Sequence, residues 1–254
     1  MIFQFWYYPV LFLTAFFAGL VDSIAGGGGI ITLPVMLSLG FPPHIALGTN
    51  KFQASFGSFT ASYYYIKKDV VILKACIAGI VFTLIGSALG TWSVTQVSSD
   101  VLKYIIPVLL VGIIIYSFIK TNLGENDRQA RLSDMAFYLI AGLTLGFYDG
   151  FFGPGVGSFW AIAFVAGLGY NLKKATGYTK VMNFTSNVVS LFIFVLGGYV
   201  IFTAGIIMAV GQIAGSKIGA GLVIKRGVKF IRPVFITIVI LTTLKIIFDR
   251  FIHQ

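Results

Sequence analysis

Apolar residues fill ten stretches of this chain, in two sets of five, with little polar sequence between them. The first set covers roughly 2–21, 28–40, 46–66, 71–93 and 101–120, and the second roughly 134–148, 155–169, 174–196, 200–222 and 229–251. About 20 apolar residues in a helix cross the hydrocarbon core of a bilayer. The second stretch of each set is too short for that, reaching only about 20–22 Å against a core of about 30 Å. A soluble globule is excluded by charge: 10% of the 254 residues are charged, against about 25% in a typical soluble protein. So few charges cannot cover the surface of a chain that is 57% apolar. The expectation is an all-α polytopic membrane protein.

The excess of 18 Lys and Arg over 8 Asp and Glu would suggest nucleic acid in a soluble protein. In a membrane protein it reflects the bias of cytoplasmic loops toward basic residues, so no nucleic-acid partner is expected. Cys76 is the only cysteine, which excludes an intrachain disulfide. His44 and His253 are far apart, so nothing suggests a metal or haem site, and no cofactor is expected. Met1 to Leu20 carries no basic residue ahead of its apolar run, so a cleavable signal is not expected either.

The chain repeats itself. Asp22, Gly26 and Gly28 recur as Asp149, Gly153 and Gly155 at an offset of 127; Gly40, Gly48 and Lys51 recur as Gly169, Gly177 and Lys180 at 129. The same offset of 129 pairs Gly86, Ser87 and Gly90 with Gly215, Ser216 and Gly219, and Pro107 matches Pro233 at 126. Two homologous transmembrane repeats follow, 1–125 and 126–254. Their loop charges swap sides. Lys67, Lys68 and Lys74 lie between the third and fourth stretches of the first repeat, where the second has none. Between the fourth and fifth, the first has only Lys103, while the second has Lys225, Arg226, Lys229 and Arg232. This pattern predicts an inverted-topology repeat. Each unit would be a Gly-tipped helical hairpin plus three transmembrane helices, giving eight to ten membrane helices. Whether the first two stretches form that hairpin or cross fully stays open. The basic face, which would also hold Lys120, Arg128, Arg131, Lys173 and Lys174, is expected in the cytoplasm, with both termini outside.

Asp22 and Asp149 are acidic residues interrupting apolar sequence, at a cost of at least about 2.5–3.5 kcal/mol each at membrane depth. They would either cap the glycine-rich break that follows or relay a proton. The breaks are Gly26, Gly27, Gly28 and Gly29 in one repeat, and Gly153, Pro154, Gly155, Val156 and Gly157 in the other. Neither has nucleotide-binding spacing. A glycine run breaks a helix, and the N-terminus of the short helix behind it favours an anion through its free N–H groups and dipole. Lys51 and Lys180, about seven residues into the third stretch of each repeat, would snorkel to the interface, add charge to an anion site, or pair with Asp22 or Asp149. Polar neighbours favour an inward face: Asn50, Gln53, Thr179, Asn183 and Asn187, with Gln212 and Lys217 as weaker candidates.

Gly19 to Gly29 (GLVDSIAGGGG), Pro34 and Ala46 to Lys51 (ALGTNK) resemble a motif of the sulfite exporter TauE/SafE family of bacterial and archaeal membrane proteins. Gly146 to Gly157 (GFYDGFFGPGVG) and Ala175 to Lys180 (ATGYTK) are similar to its second motif. The resemblance covers nearly the whole chain. It implies a permease of the cytoplasmic membrane for sulfite, sulfonates or related organosulfur anions, working in export. The residues point to a secondary transporter of an anion and the resemblance implies a small oxyanion, moved by alternating access, not an enzyme. The anion would sit between the hairpin tips, on N–H groups from Gly26 to Gly29 and from Gly153, Gly155 and Gly157. Lys51 and Lys180 would supply charge, Ser23, Asn50, Thr179 and Asn183 hydrogen bonds, and Asp22 and Asp149 proton coupling. A passive anion channel is the alternative reading, and an intramembrane enzyme a third. Oligomeric state stays open, a homodimer being compatible.

Overall fold

The computed structural model describes residues 5–118 and 126–226. Among them are nine α-helices: α1 (Tyr7–Ala25), α2 (Gly28–Ser38), α3 (Pro43–Lys67), α4 (Ile77–Gln96), α5 (Ser99–Phe118), α6 (Asp134–Phe151), α7 (Val156–Gly167), α8 (Leu172–Leu196) and α9 (Phe202–Arg226). They match nine of the ten apolar stretches; the tenth, 229–251, lies outside the described residues. No β-strand occurs among the described residues. Four segments are long and apolar enough to cross a membrane: Tyr7–Ile24, Leu73–Gln96, Leu172–Leu196 and Phe202–Lys225. This is the architecture of a polytopic membrane protein.

The two breaks fall at the glycines. Gly26 (φ 71°) and Gly27 (φ 132°) separate α1 from α2, and Gly153 (φ 97°) and Gly155 (φ 79°) separate α6 from α7. A side chain would clash with the backbone in that left-handed region, so only glycine turns the chain there without strain. With 11 and 12 residues, α2 and α7 are only about 17–18 Å long. Each folds back beside its predecessor as a hairpin. At the α6–α7 hairpin, the N–H groups of Arg131 and Leu132 donate to the Gly167 carbonyl at 2.9 and 3.2 Å, bringing both outer ends to the same end of the bundle.

Glycine also sets the helix packing. Gly211, Gly215 and Gly219 on α9 lie against the backbone or side chains of Phe12, Phe16, Leu20 and Ser23, so α9 runs alongside α1 in the same direction. The counterpart pair behaves alike: Gly86 and Gly90 on α4 meet the backbone of Leu143 and Phe147 on α6. In the middle, α3 and α8 run antiparallel, since Gly48 near the start of α3 touches Phe194 and Tyr199, while Gly177 near the start of α8 touches Tyr65 and Val71. Close backbone approach through small residues is how helices associate where water gives no drive.

Polarity is inverted relative to a soluble protein. Large apolar side chains such as Leu84, Leu89, Trp92, Ile140, Phe192 and Val210 are exposed, whereas Lys51, Lys180, Asp149, Asn50, Gln53, Asn183 and Gln212 are buried. A surface of this kind is stable only against lipid. Charge is asymmetric along the bundle axis. The Ile72 N–H donates to the Tyr178 hydroxyl at 3.4 Å and the Arg128 N–H to the Gly169 carbonyl at 2.7 Å, gathering three loops at one end. That end carries Lys67, Lys68, Lys74, Arg128, Arg131, Lys173 and Lys174. At the other end His44 contacts Ser99 at 3.0 Å and stacks on Tyr199.

Candidate functional site

The two hairpins enter the bundle from opposite ends, and each tip meets a lysine from the opposite half. On the ninth residue of α3, Lys51 reaches Asp149, which lies just ahead of the second break. Its Nζ donates to Asp149 Oδ1 at 2.6 Å and to the Asp149 carbonyl oxygen at 2.6 Å. Lys180, the ninth residue of α8, does the same to Asp22. Its Nζ lies 3.3 Å from Asp22 Oδ2 and also donates to the Asp22 carbonyl oxygen. Sequence reasoning left three roles open for these lysines. Burial excludes snorkelling, because Lys51 is 2% and Lys180 0% exposed.

The repeated pattern has one cause. Asp22 and Asp149 sit in the last turn of α1 and α6, where the dipole is negative and the carbonyls keep spare acceptor capacity, the Asp22 carbonyl also taking the Gly26 N–H at 2.9 Å. An ammonium there meets the carboxylate and the helix end together. A buried ion pair is held only if its members are otherwise satisfied, and Lys51 gains a third acceptor in Asn187 Oδ1 at 3.2 Å. Asn187 Nδ2 in turn donates to Ser58 Oγ at 3.3 Å. The depth is considerable: eight residues from the helix start place each lysine about 12 Å inside its end of the bundle.

The carboxylates differ. Asp22 Oδ1 accepts from the N–H groups of Gly27 at 3.1 Å and Gly28 at 3.4 Å, capping the N-terminus of α2. Asp149 Oδ1 is taken by Lys51, and the Ser186 hydroxyl stands beside the carboxylate, although Asp149 Oδ2 makes no hydrogen bond of good geometry. The side chain of Asp22 is 16% exposed and that of Asp149 3%.

Gly26 and Gly157 bring the tips into direct contact: a Cβ on either would run into the other's backbone. Gly29 lies against Pro154. Ser158 Oγ donates to the Gly26 carbonyl at 3.3 Å, tying the first tip to α7. In this conformation the tips close on each other where an anion between them was expected. Asn183 joins that contact, its Nδ2 facing Gly157 and its Oδ1 unpartnered. Asn50 is close by in sequence to Lys51, but its Oδ1 accepts from Thr32 at 2.6 Å and Gln53 at 2.8 Å. Ser23 and Thr179 stay apart from the tips' donors. The Ser23 hydroxyl donates to the Leu20 carbonyl at 3.0 Å and packs on Gly219, and Thr179 donates to the Ala175 carbonyl at 2.8 Å.

Three contributors carry no distinguishing sequence signal. Thr32 anchors Asn50; the Tyr65 hydroxyl donates to the Ser23 carbonyl at 3.0 Å; the Tyr148 hydroxyl donates to the Pro154 carbonyl at 2.7 Å. A readable signal did exist on α8, where Thr179, Asn183, Ser186 and Ser190 are buried at the spacing of one helical face. Among the described residues no group of His, Cys, Asp and Glu could hold a metal ion.

Residues 11–246 match the model of the family described as "Sulfite exporter TauE/SafE". The chain belongs to the TauE/SafE family. This TauE/SafE chain is a membrane transporter, and it is 46% identical over 240 residues to "Probable membrane transporter protein YfcA" of Escherichia coli K12, covering 94% of the chain and 89% of that protein. Identity is 42% over 241 residues to a "Probable membrane transporter protein" of Haemophilus influenzae, with 95% and 94% covered. An archaeal relative, "Probable membrane transporter protein MJ0441" of Methanocaldococcus jannaschii, is 25% identical over 242 residues, with 88% and 89% covered. No solved structure gives a significant match.

Proposed function

We propose that this TauE/SafE member is a secondary transporter of the cytoplasmic membrane that moves a small oxyanion, such as sulfite or a sulfonate, by alternating access. The observation carrying this reading is the reciprocal exchange of ion pairs, Lys51 with Asp149 and Lys180 with Asp22. Each pair joins the two halves, so a rocking motion of one half against the other strains both latches together. Protonation of an aspartate, or replacement of its charge by a substrate anion, loosens a latch. That is a physical route from ligand or proton to conformational change.

The relation between the halves supports the same reading. The antiparallel α3 and α8, and hairpins entering from opposite ends, are what inverted repeats about an axis in the membrane plane require. Such repeats have two related conformations available, one open to each side. The basic end of the bundle would face the cytoplasm, and the chain would cross the membrane several times. Closed contact between Gly26 and Gly157 favours a carrier over a continuously open anion channel. Export is the direction that the family name suggests.

Sulfite flux into proteoliposomes tests the assignment. Wild type should give saturable uptake with counterflow, and both Asp22→Asn and Lys51→Ala should lower it by at least about tenfold. Unchanged flux in both variants would remove these residues from the mechanism, and conductance steps in place of counterflow would make the protein a channel.

A further inference from the structure

The first hairpin tip already holds an anion, its own. Two N–H groups at the start of α2, from Gly27 and Gly28, converge on one oxygen of the Asp22 carboxylate, and the Lys180 ammonium meets the other. Three donors on two oxygens of a trigonal acid group is also how a sulfite or sulfonate would be held. A second feature lies next to it, at the neighbouring Gly26. Asn183, one turn beyond Lys180 on α8, is 4% exposed, and its amide lies at the Gly26–Gly157 contact with Oδ1 unpartnered. A buried amide oxygen without a donor is costly. Its O and N positions interchange by a half-turn, after which the amide can donate to a bound oxyanion.

The second tip is built differently. Asp149 gives one oxygen to Lys51, and its other oxygen, beside the Ser186 hydroxyl, makes no hydrogen bond of good geometry, to a main-chain N–H or otherwise. It is also nearly sealed, whereas Asp22 is partly accessible.

From this asymmetry we infer that Asp22 is a resident competitor for the transported anion: substrate enters the cradle of Gly27, Gly28, Lys180 and Asn183 by displacing the Asp22 carboxylate. The inference rests on the anion-transport reading and adds where the anion binds and what it replaces. Lys180 keeps one counter-charge throughout. In the empty protein it is the aspartate, and in the loaded protein it is the substrate; the displaced Asp22 carboxylate, partly accessible, takes up a proton or turns toward water, so the exchange leaves no bare charge in the interior.

The test is sulfite titration of the full-length protein in detergent, followed by calorimetry and by the rise in melting temperature. Asp22→Asn should bind sulfite at least about tenfold tighter than wild type, because a neutral amide competes poorly for Lys180. Asp149→Asn should show no such gain. Asp22→Glu covers the case in which the Asn variant does not fold. It keeps a charge for Lys180, but its longer arm moves the carboxylate off the Gly27 and Gly28 N–H groups, and it too should bind more tightly. The gain should vanish when Lys180→Met is added to Asp22→Asn. If wild type carries sulfite yet neither Asp22 variant binds it more tightly, Asp22 is only a helix cap and this inference is wrong while the transport reading stands. If folded wild type neither binds nor carries sulfite, both fall. An equal gain in Asp149→Asn would overturn the asymmetry.

Discussion

Lys51 on α3 and Asp149 at the end of α6 stand 98 residues apart in the chain and 2.6 Å apart in space. Lys180 and Asp22 repeat the relationship at 3.3 Å with the halves exchanged. Each half thus takes the counter-charge for its buried lysine from the other, which ties the two together across the bundle.

Breaking one pair should therefore destabilise strongly. Lys51→Ala leaves Asp149, 2% exposed, as an unpaired buried charge, at a cost of about 3–5 kcal/mol. Lys51→Met combined with Asp149→Leu should recover most of that stability while losing transport. A melting curve in detergent reads the first effect and proteoliposome flux the second. Equal stability of the single and double variants would argue against a coupled pair.

The contact between the tips should be intolerant of a single methyl. Gly26→Ala must place a Cβ against Gly157 at a φ of 71°, and overpacking alone costs about 1–3 kcal/mol. Gly112 on α5 meets nothing within 4 Å. Gly112→Ala should therefore be neutral or stabilising by up to about 1 kcal/mol. Comparing the melting temperatures of the two variants checks this directly.

Tyr65→Phe removes the hydroxyl that holds the Ser23 carbonyl beside the first break. The loss should be about 1 kcal/mol. The diagnostic readout is faster proteolysis or hydrogen exchange around residues 23–29, with α6 and α7 unaffected. Uniform loosening of both hairpins would contradict a local role.

Orientation is open to labelling in intact cells. Cys76 is fully buried, so the wild-type background should be low. Cysteines introduced at Lys67 and Lys174, both on the basic end, should react only after the membrane is made permeable. A cysteine at Lys103 should react from outside. The reverse pattern would turn the bundle over in the membrane.

Much of the candidate site was legible because the relevant physics is local. The glycine runs announced both breaks, since a backbone at positive φ selects glycine whatever surrounds it. The short stretches at 28–40 and 155–169 announced the hairpins, because helix length follows from residue count. Their fold-back, left open between hairpin and full crossing, appears in the structure as α1–α2 and α6–α7. The duplicated Asp and Lys drew attention because charge in apolar sequence requires compensation. Thr179 and Ser23, by contrast, were expected at the tips and turn out to bond their own helices. Hydroxyls in helices choose between a neighbour and the carbonyl a turn back, and sequence does not distinguish these outcomes.

By itself the sequence determined where the nine described helices run, where they break and which residues are too polar to face lipid, because propensity, length and transfer energy act residue by residue. Only the tertiary structure decided which lysine meets which aspartate, that Gly26 closes on Gly157, and that Asp22 rather than Asp149 fills a cradle of main-chain N–H groups. Those outcomes depend on how α3 and α8 lie against the opposite hairpins. A carboxylate's partner is set by its neighbours in space, and the identity of its own residue carries no information about which helix will arrive there.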